Sequence, residues 1–255
     1  AGDCSLSYLP LSHIAEQMFT LHVPITVGSQ VYFATSIDKI VENLKEVRPT
    51  VIFGVPRIWE KMHSGVAAKL ATATGVKKKI ADFAIRTAKA VHDIQNAGGT
   101  VTGVLALKYK LANKLVYSKV KAAIGLDRAR VCVSGAAPIA KEVLEFFQGL
   151  DLMILEVYGQ SEGSGPTTLN IPGRTRVGSV GPALPGVEVK IAADDEILVK
   201  GPNVFLGYFK DEQATSETLI DGYLHSGDLG KFDDQGFLWI TGRKKEIIIT
   251  AGGKN

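Results

Sequence analysis

A chain of 255 residues, 45% hydrophobic and 22% charged, can bury a sizeable core and is neither disordered, collagen-like nor coiled coil. Its 27 glycines and 10 prolines are spread along the sequence, which implies many tight turns and excludes a plain helical bundle. No run approaches the ~18 consecutive apolar residues of a spanning helix, and the first residues lack the layout of a secretory signal. Cys4 and Cys132 are too few for a disulfide framework and stand in no metal-ligand spacing, which argues against zinc and suits a reducing, cytoplasmic compartment.

In chain order, short β-branched runs alternate with helical patterns. A strand is expected from Gln30 to Ala34, a helix from Ser36 to Val47, a strand from Thr50 to Gly54 and a helix opened by Pro56. The formal charge is +3 over the chain, but Ser64 to Gly125 holds eleven Lys and Arg against Asp82 and Asp93, so the basic charge belongs to one region. That region has helical periodicity: Ile80, Phe83, Ala84, Thr87, Ala88 and Val91 form one apolar stripe, and Leu107, Leu111, Leu115 and Val116 a second. A turn at Asn96 to Gly99 separates them, giving a helical hairpin with a solvated lysine face. An anionic membrane or phosphate-rich partner is the sharper alternative. Nucleic acid is not expected, because no aromatic interleaving accompanies the lysines.

Strands from Arg130 to Ser134 and from Met153 to Val157, separated by a helical pattern at Pro138 to Phe147, continue the βαβ grammar. It predicts an α/β fold: a mostly parallel sheet with flanking helices and ligands at the strands' carboxyl ends. From Thr167 the pattern changes to short alternating runs (Val187 to Ile191, Glu196 to Lys200, Phe237 to Thr241) with Gly/Pro turns, which predicts a small antiparallel β-subdomain. The expected divisions are 1–166 for the α/β portion, with the basic hairpin at 64–125, then 167–242 for the β-rich part and 243–255 beyond it.

Four segments carry chemistry. Ser134-Gly135-Ala136-Ala137-Pro138 ends a strand in small residues that would let a flat ring lie on the backbone, although small residues after a strand more often just close a tight turn. Glu156-Val157-Tyr158-Gly159-Gln160-Ser161-Glu162-Gly163 also follows a strand. Tyr158 offers an aromatic face, Ser161 a hydroxyl for a phosphate and Glu162 a hard carboxylate suited to Mg²⁺; the plainer reading is a helix start capped by Ser161. His225-Ser226-Gly227-Asp228 presents a carboxylate able to accept from two ribose hydroxyls, or an Asx turn. Thr241-Gly242-Arg243-Lys244-Lys245 is by spacing a charged surface bend. No Gly-x-Gly-x-x-Gly with a following acid supports a dinucleotide fold.

In this order and at these separations, the four motifs resemble the adenylate-forming acyl-CoA synthetase superfamily, the AMP-binding enzymes. Leu9-Pro10-Leu11-Ser12-His13 looks like its proline-histidine motif, and Gly54 to Lys61 like a stretch of its long-chain fatty-acyl branch. Tyr158 to Thr168 and Gly236 to Asn255 resemble the bubblegum-like group of that branch. The resemblance implies part of the large N-terminal domain of an enzyme that joins a fatty acid to ATP, releases pyrophosphate and passes the acyl group from acyl-AMP to coenzyme A. It implies that Gly135, Ala136 and Ala137 line the adenine, that Tyr158 and Gly159 lie against it, and that Ser161 contacts phosphate. It further implies Mg²⁺ on Glu162, ribose on Asp228, Arg243 near ribose and phosphate, His13 beside the acyl carboxylate and Lys245 as a hinge. The family's phosphate loop and C-terminal domain are not found in the sequence, so it is expected to be a central fragment, inactive alone. The alternatives are a ligase for another acid or a carrier-protein thiol, and a non-catalytic nucleotide-binding fragment.

Overall fold

The computed structural model describes residues 2–244, which fall into two compact units. The first holds the described residues up to Val157 together with Asn170–Gly178, and the second holds Tyr158–Leu169 with the described residues from Ser179 on.

The first unit begins with β1 (Cys4–Ser7), followed by α1 (Ile14–Gln17) and α2 (Val23–Val27), which a π-helical turn at Met18–His22 joins. Next come β2 (Gln30–Phe33), α3 (Ile40–Val47), β3 (Val51–Gly54), α4 (Pro56–Ala71) and α5 (Gly75–Asn96). Then follow α6 (Gly103–Ala112), α7 (Ser118–Ala123), β4 (Val131–Ser134), α8 (Lys141–Gly149) and β5 (Ile154–Gln160), whose last residues pass into the second unit. β3, β4 and β5 pair in parallel, with Gly54 opposite Ser134 and Ser134 opposite Glu156, so β3 and β4 end at one level and β5 runs on past them to Gln160. This is the expected arrangement, with one difference. β2 pairs in parallel with β1, not with β3, in a separate two-stranded sheet, and Thr50 exchanges hydrogen bonds with Cys4 beside it.

The core forms where helices cover this sheet. Trp59, Tyr117, Phe147, Leu44 and Leu126 are fully buried, each contributing about 1.5–3 kcal/mol by leaving water. Pro56 opens α4, where its missing N–H costs nothing. Trp59, one turn on, donates its indole N–H to the Gly54 carbonyl at 2.9 Å, and a Cβ on Gly54 would lie 2.5 Å from that ring. The Gly54–Trp59 stretch therefore fastens a helix start to a strand end.

The apolar stripe of α5 packs into the core as its spacing predicts, but the second stripe does so only in its second half. Leu107 and Leu111 are exposed, whereas Leu115 packs against the core and Val116 is buried in it, joined by Ala112 and Tyr117. The face of α6 that meets the core follows Tyr109 and Ala112, not Leu107 and Leu111, and a π-helical turn at Asn113–Tyr117 comes after it. Pro138 does not open α8, which starts at Lys141; the loop after β4 runs three residues further than expected.

Asp151, in the turn before β5, ties the helices to the sheet. Its oxygens accept from Tyr109 at 2.9 Å and from Lys121 at 2.5 Å, and His92 Nε2 lies 3.2 Å away. Burial alone would raise its carboxyl, but His92, Lys121 and Tyr109 outweigh that and hold it below the ordinary range.

The second unit holds β6 (Gly165–Leu169), β7 (Glu188–Ile191), β8 (Glu196–Lys200), α9 (Glu212–Thr218), β9 (Leu219–Ile220), β10 (Tyr223–Phe232) and β11 (Leu238–Arg243). The antiparallel order is β11-β10-β8-β7, with β9 on β10, as the alternating runs predict. Its core is Ile197, Val199, Leu224 and Leu238. Among the described residues, no helix is long and apolar enough to cross a membrane.

Candidate nucleotide site

At the carboxyl end of β4, Gly135 is required by packing: a Cβ there would stand 2.5 Å from the Val157 side chain. The next residue, Ala136, is held at φ 70°, a left-handed conformation that a side chain resists by about 1–2 kcal/mol. Ala136, Ala137 and Pro138 are exposed. Ser134 Oγ is buried beside them without a hydrogen-bond partner, an arrangement that costs about 1–3 kcal/mol unless something polar arrives. A strained, small-residue loop next to an unpartnered hydroxyl is what a ligand-facing backbone needs.

On β5, Glu156 is buried and accepts from the Gly178 N–H at 2.7 Å. Burial pushes its carboxyl up to about 7 despite that bond. Because the folded value lies above the unfolded one, the folded chain holds this proton more tightly, and stability falls as pH rises from about 4 to about 7. Glu156→Gln is expected to remove that decline and raise Tm at pH 8 by a few degrees, at roughly 2–4 °C per kcal/mol. Thermal melts at pH 5 and pH 8 check this, and an unaltered pH dependence contradicts it.

His13 is half-buried at the start of α1, where its Nδ1 accepts from the Ala15 N–H at 3.2 Å, so it caps the helix. Nearby Glu16 is buried and fully bonded, accepting from Ser7, Thr20 and the Leu9 N–H.

In the second unit three expected residues meet. The Tyr158 hydroxyl donates to Asp228 Oδ2 at 2.8 Å, and Arg243 Nε donates to Oδ1 at 2.9 Å. Asp228 and Arg243 are register partners across β10 and β11. Burial and the Asp228 charge push the Tyr158 phenol well above its ordinary value, so it remains a donor. Asp228 is not in an Asx turn. It lies within β10, beside an irregularity that shifts the pairing with β8 between His225 and Leu229, and bulges of this kind re-aim a side chain.

Glu196, which sequence reasoning missed, shapes this segment. It is buried and accepts from the Gly227 N–H at 2.9 Å and from Lys244 Nζ at 2.7 Å, while His225 Nδ1 lies 3.0 Å away. Burial raises its carboxyl, but Lys244, His225 and Gly227 outweigh that and the net displacement is downward. Only its position in a half-apolar strand hinted at it.

Ser161 and Glu162 lie in a 3₁₀ turn at Ser161–Gly163, too short to be the α-helix start that capping would imply, and Ser161 makes no cap. Gly159 is needed sterically, because a Cβ would overlap the Gly165 carbonyl. Glu162 Oε1 accepts from the Tyr208 hydroxyl at 2.8 Å, its carbonyl accepts from the Phe205 N–H at 2.8 Å, and Asn203 bonds the Gly163 carbonyl at 3.0 Å. Residues 203–208 carried no local signal for this packing. Among the described residues, no group of three or more His, Cys, Asp or Glu gathers for a metal. Lys245 lies outside the described residues.

The family profile described as AMP-binding enzyme matches residues 1–209. The chain belongs to the AMP-binding enzyme family. It is 45% identical over 98% of its length to the Xenopus laevis protein named long-chain-fatty-acid–CoA ligase ACSBG2, covering 35% of that protein. It is 44% identical over 98% of its length to the Homo sapiens protein of that name, covering 38% of it. It is 40% identical over all of its length to the putative fatty-acid–CoA ligase fadD11 of Mycobacterium tuberculosis, covering 45%. The chain therefore spans less than half of each of these relatives. Among solved structures it resembles apo MatB from Rhodopseudomonas palustris (TM-score 0.64, 25% identity, 96% of this chain and 40% of that one). It shares the fold of MenE from Bacillus subtilis in complex with AMP (TM-score 0.63, 22% identity, 98% and 43%), and of the N-terminal domain of FACL13 from Mycobacterium tuberculosis (0.63, 19%, 94% and 50%).

Proposed function

We propose that this chain is part of an ATP-dependent acid–thiol ligase that activates a long-chain fatty acid as acyl-AMP and transfers it to coenzyme A. The observation that carries the reading is the Asp228 carboxylate, buried in β10 and gripped by Tyr158 and Arg243, in a chain whose relatives are named as fatty-acid–CoA ligases. In the second unit, Asp228 takes the ribose hydroxyls, the Tyr158 ring and Gly159 lie along the base, Arg243 faces ribose and phosphate, and Ser161 donates to a phosphate oxygen. In the first unit, the Gly135–Ala137 backbone receives the adenine edge and His13 borders the acyl carboxylate. Catalysis is then chiefly positioning and charge neutralisation as carboxylate attacks the α-phosphorus. Residues 1–166 and 167–242 supply these groups apart from Arg243, which lies in 243–255 with Lys245, the hinge.

Glu162 fits Mg²⁺. It is a single carboxylate on a short turn, and Mg²⁺ usually takes one or two carboxylates with nucleotide phosphates completing its shell. When bound, the ion would neutralise phosphate charge as pyrophosphate leaves. Glu162→Gln is expected to raise the Mg²⁺ concentration needed for half-maximal turnover about tenfold or more, and a metal titration of the rate tests it.

The decisive assay is ATP–pyrophosphate exchange with a panel of acids, run on this chain and on the longest gene product that contains it. Exchange by the long product with palmitate-like acids supports the reading; exchange with aromatic or amino acids alone overturns the substrate class.

Peripheral membrane contact is part of the same proposal. Val104, Leu107 and Leu111 are exposed along α6, with Lys108, Lys110 and Lys114 between and beside them, an amphipathic pattern suited to an anionic interface. Sedimentation with vesicles is expected to need anionic lipid and to weaken with salt.

A further inference from the structure

A cavity of about 340 Å³ opens between α3, α4 and α7. It lies near the amino ends of β3 and β4, toward which α3 and α7 lead, and the Gly135 loop lies at the opposite, carboxyl end. Its floor is apolar, with Met62 and Val66 buried beneath it and Val120 and Ile124 alongside. Lys45, Lys61, Lys69 and Lys119 line it, and no carboxylate does. None of these lysines makes an ion pair among the described residues. Glu42, whose carboxyl feels Lys45 and Lys61, is itself bonded to Lys39 at 2.8 Å.

A second observation points the same way. Gly65 sits in the middle of α4, midway between Lys61 and Lys69, where glycine costs about 1 kcal/mol relative to alanine. A Cβ there would meet nothing within 4 Å. No neighbour in the fold requires this glycine, and what its missing side chain supplies is room in the cavity wall.

We propose that this cavity binds a single-chain anionic amphiphile, with a short apolar tail on the Met62–Val66 floor and a phosphate or carboxylate head among the four lysines. The volume is at the lower end for ligand pockets, which run from about 300 to 1,000 Å³, so it takes a short tail or the end of a longer one. Desolvated apolar contact and charge complementarity both contribute, so neither half of the ligand suffices alone.

The test is calorimetric titration of the whole chain with decyl phosphate below its micelle concentration, beside decanoate, inorganic phosphate and decyl maltoside. Saturable one-to-one binding of decyl phosphate is expected, with inorganic phosphate and the neutral maltoside at least tenfold weaker. Comparison with decanoate assigns the head as phosphate or carboxylate, and either fits. Lys61→Ala/Lys69→Ala is expected to weaken binding about tenfold or more. Gly65→Leu fills the cavity with a better helix former, so it should abolish binding while Tm stays the same or rises, which separates occlusion from unfolding. Equal binding of the neutral maltoside, or decyl phosphate affinity that survives Gly65→Leu, overturns the proposal. Binding to anionic vesicles alone, indifferent to Gly65→Leu, also overturns it and assigns the lysines to a membrane surface.

Discussion

Asp151→Asn should cost the fold about 3 kcal/mol at pH 7, the lower end for removing one partner of a buried ionic cluster, out of a total of about 5–15 kcal/mol. Asparagine is the informative replacement because residue 151 sits at φ 61°, a conformation asparagine tolerates, so the change isolates charge from backbone. Lys121, only 17% exposed, then loses its counter-ion, while Tyr109 and His92 lose an acceptor. The pH dependence has a definite sign. The folded carboxyl titrates below its ordinary value, so its contribution is complete above about pH 4, the unfolded value, and fades as pH falls through the folded one. Urea denaturation at pH 7 and at pH 3 should show a large gap between parent and variant that narrows in acid. A gap that is small at pH 7, or constant with pH, would show that the cluster is not held by that charge.

Asp228→Asn should weaken AMP binding about tenfold to a hundredfold, corresponding to the 1.5–3 kcal/mol typical of hydrogen bonds to a charged group. The amide can keep one donor satisfied, but its NH₂ then faces the other. A loss of affinity alone would not distinguish ribose recognition from a disturbed loop, so the ligand should be varied too. With the parent chain, 2′,3′-dideoxy-AMP is expected to lose a comparable amount; with the variant, removing the hydroxyls should change little further. Additive losses, with the variant still discriminating against the dideoxy ligand, would place the ribose elsewhere.

Much of the scaffold was legible because its signals are local. β-branched runs bounded by turn residues mark β3, β4 and β8, and Pro56 marks the start of α4. Errors arose where a distant or subtle feature intervened. Leu107 and Leu111 face outward because α6 packs through the Tyr109–Ala112 face, a tertiary choice that the leucine spacing does not announce. Pro138 suits a first helical turn as Pro56 does, yet α8 starts only at Lys141, so here the proline marks a loop and not a helix start. In the candidate site, Tyr158, Asp228 and Arg243 could be named from motifs. Glu196 and Tyr208 could not: they act on Gly227 and Glu162, which are 31 and 46 residues away, and beyond Glu196's place in a half-apolar strand nothing near them in sequence announces it.

Tyr158 and Arg243 grip Asp228 from two sides. That side chain has thus already given up its rotamer freedom and much of its hydration, costs that an unrestrained aspartate would incur when a ligand arrived. The acceptor is preorganised, so arriving hydroxyls share its remaining lone pairs and need not recruit a wandering group. Loosening either neighbour should therefore shorten the lifetime of the bound state more than it slows capture.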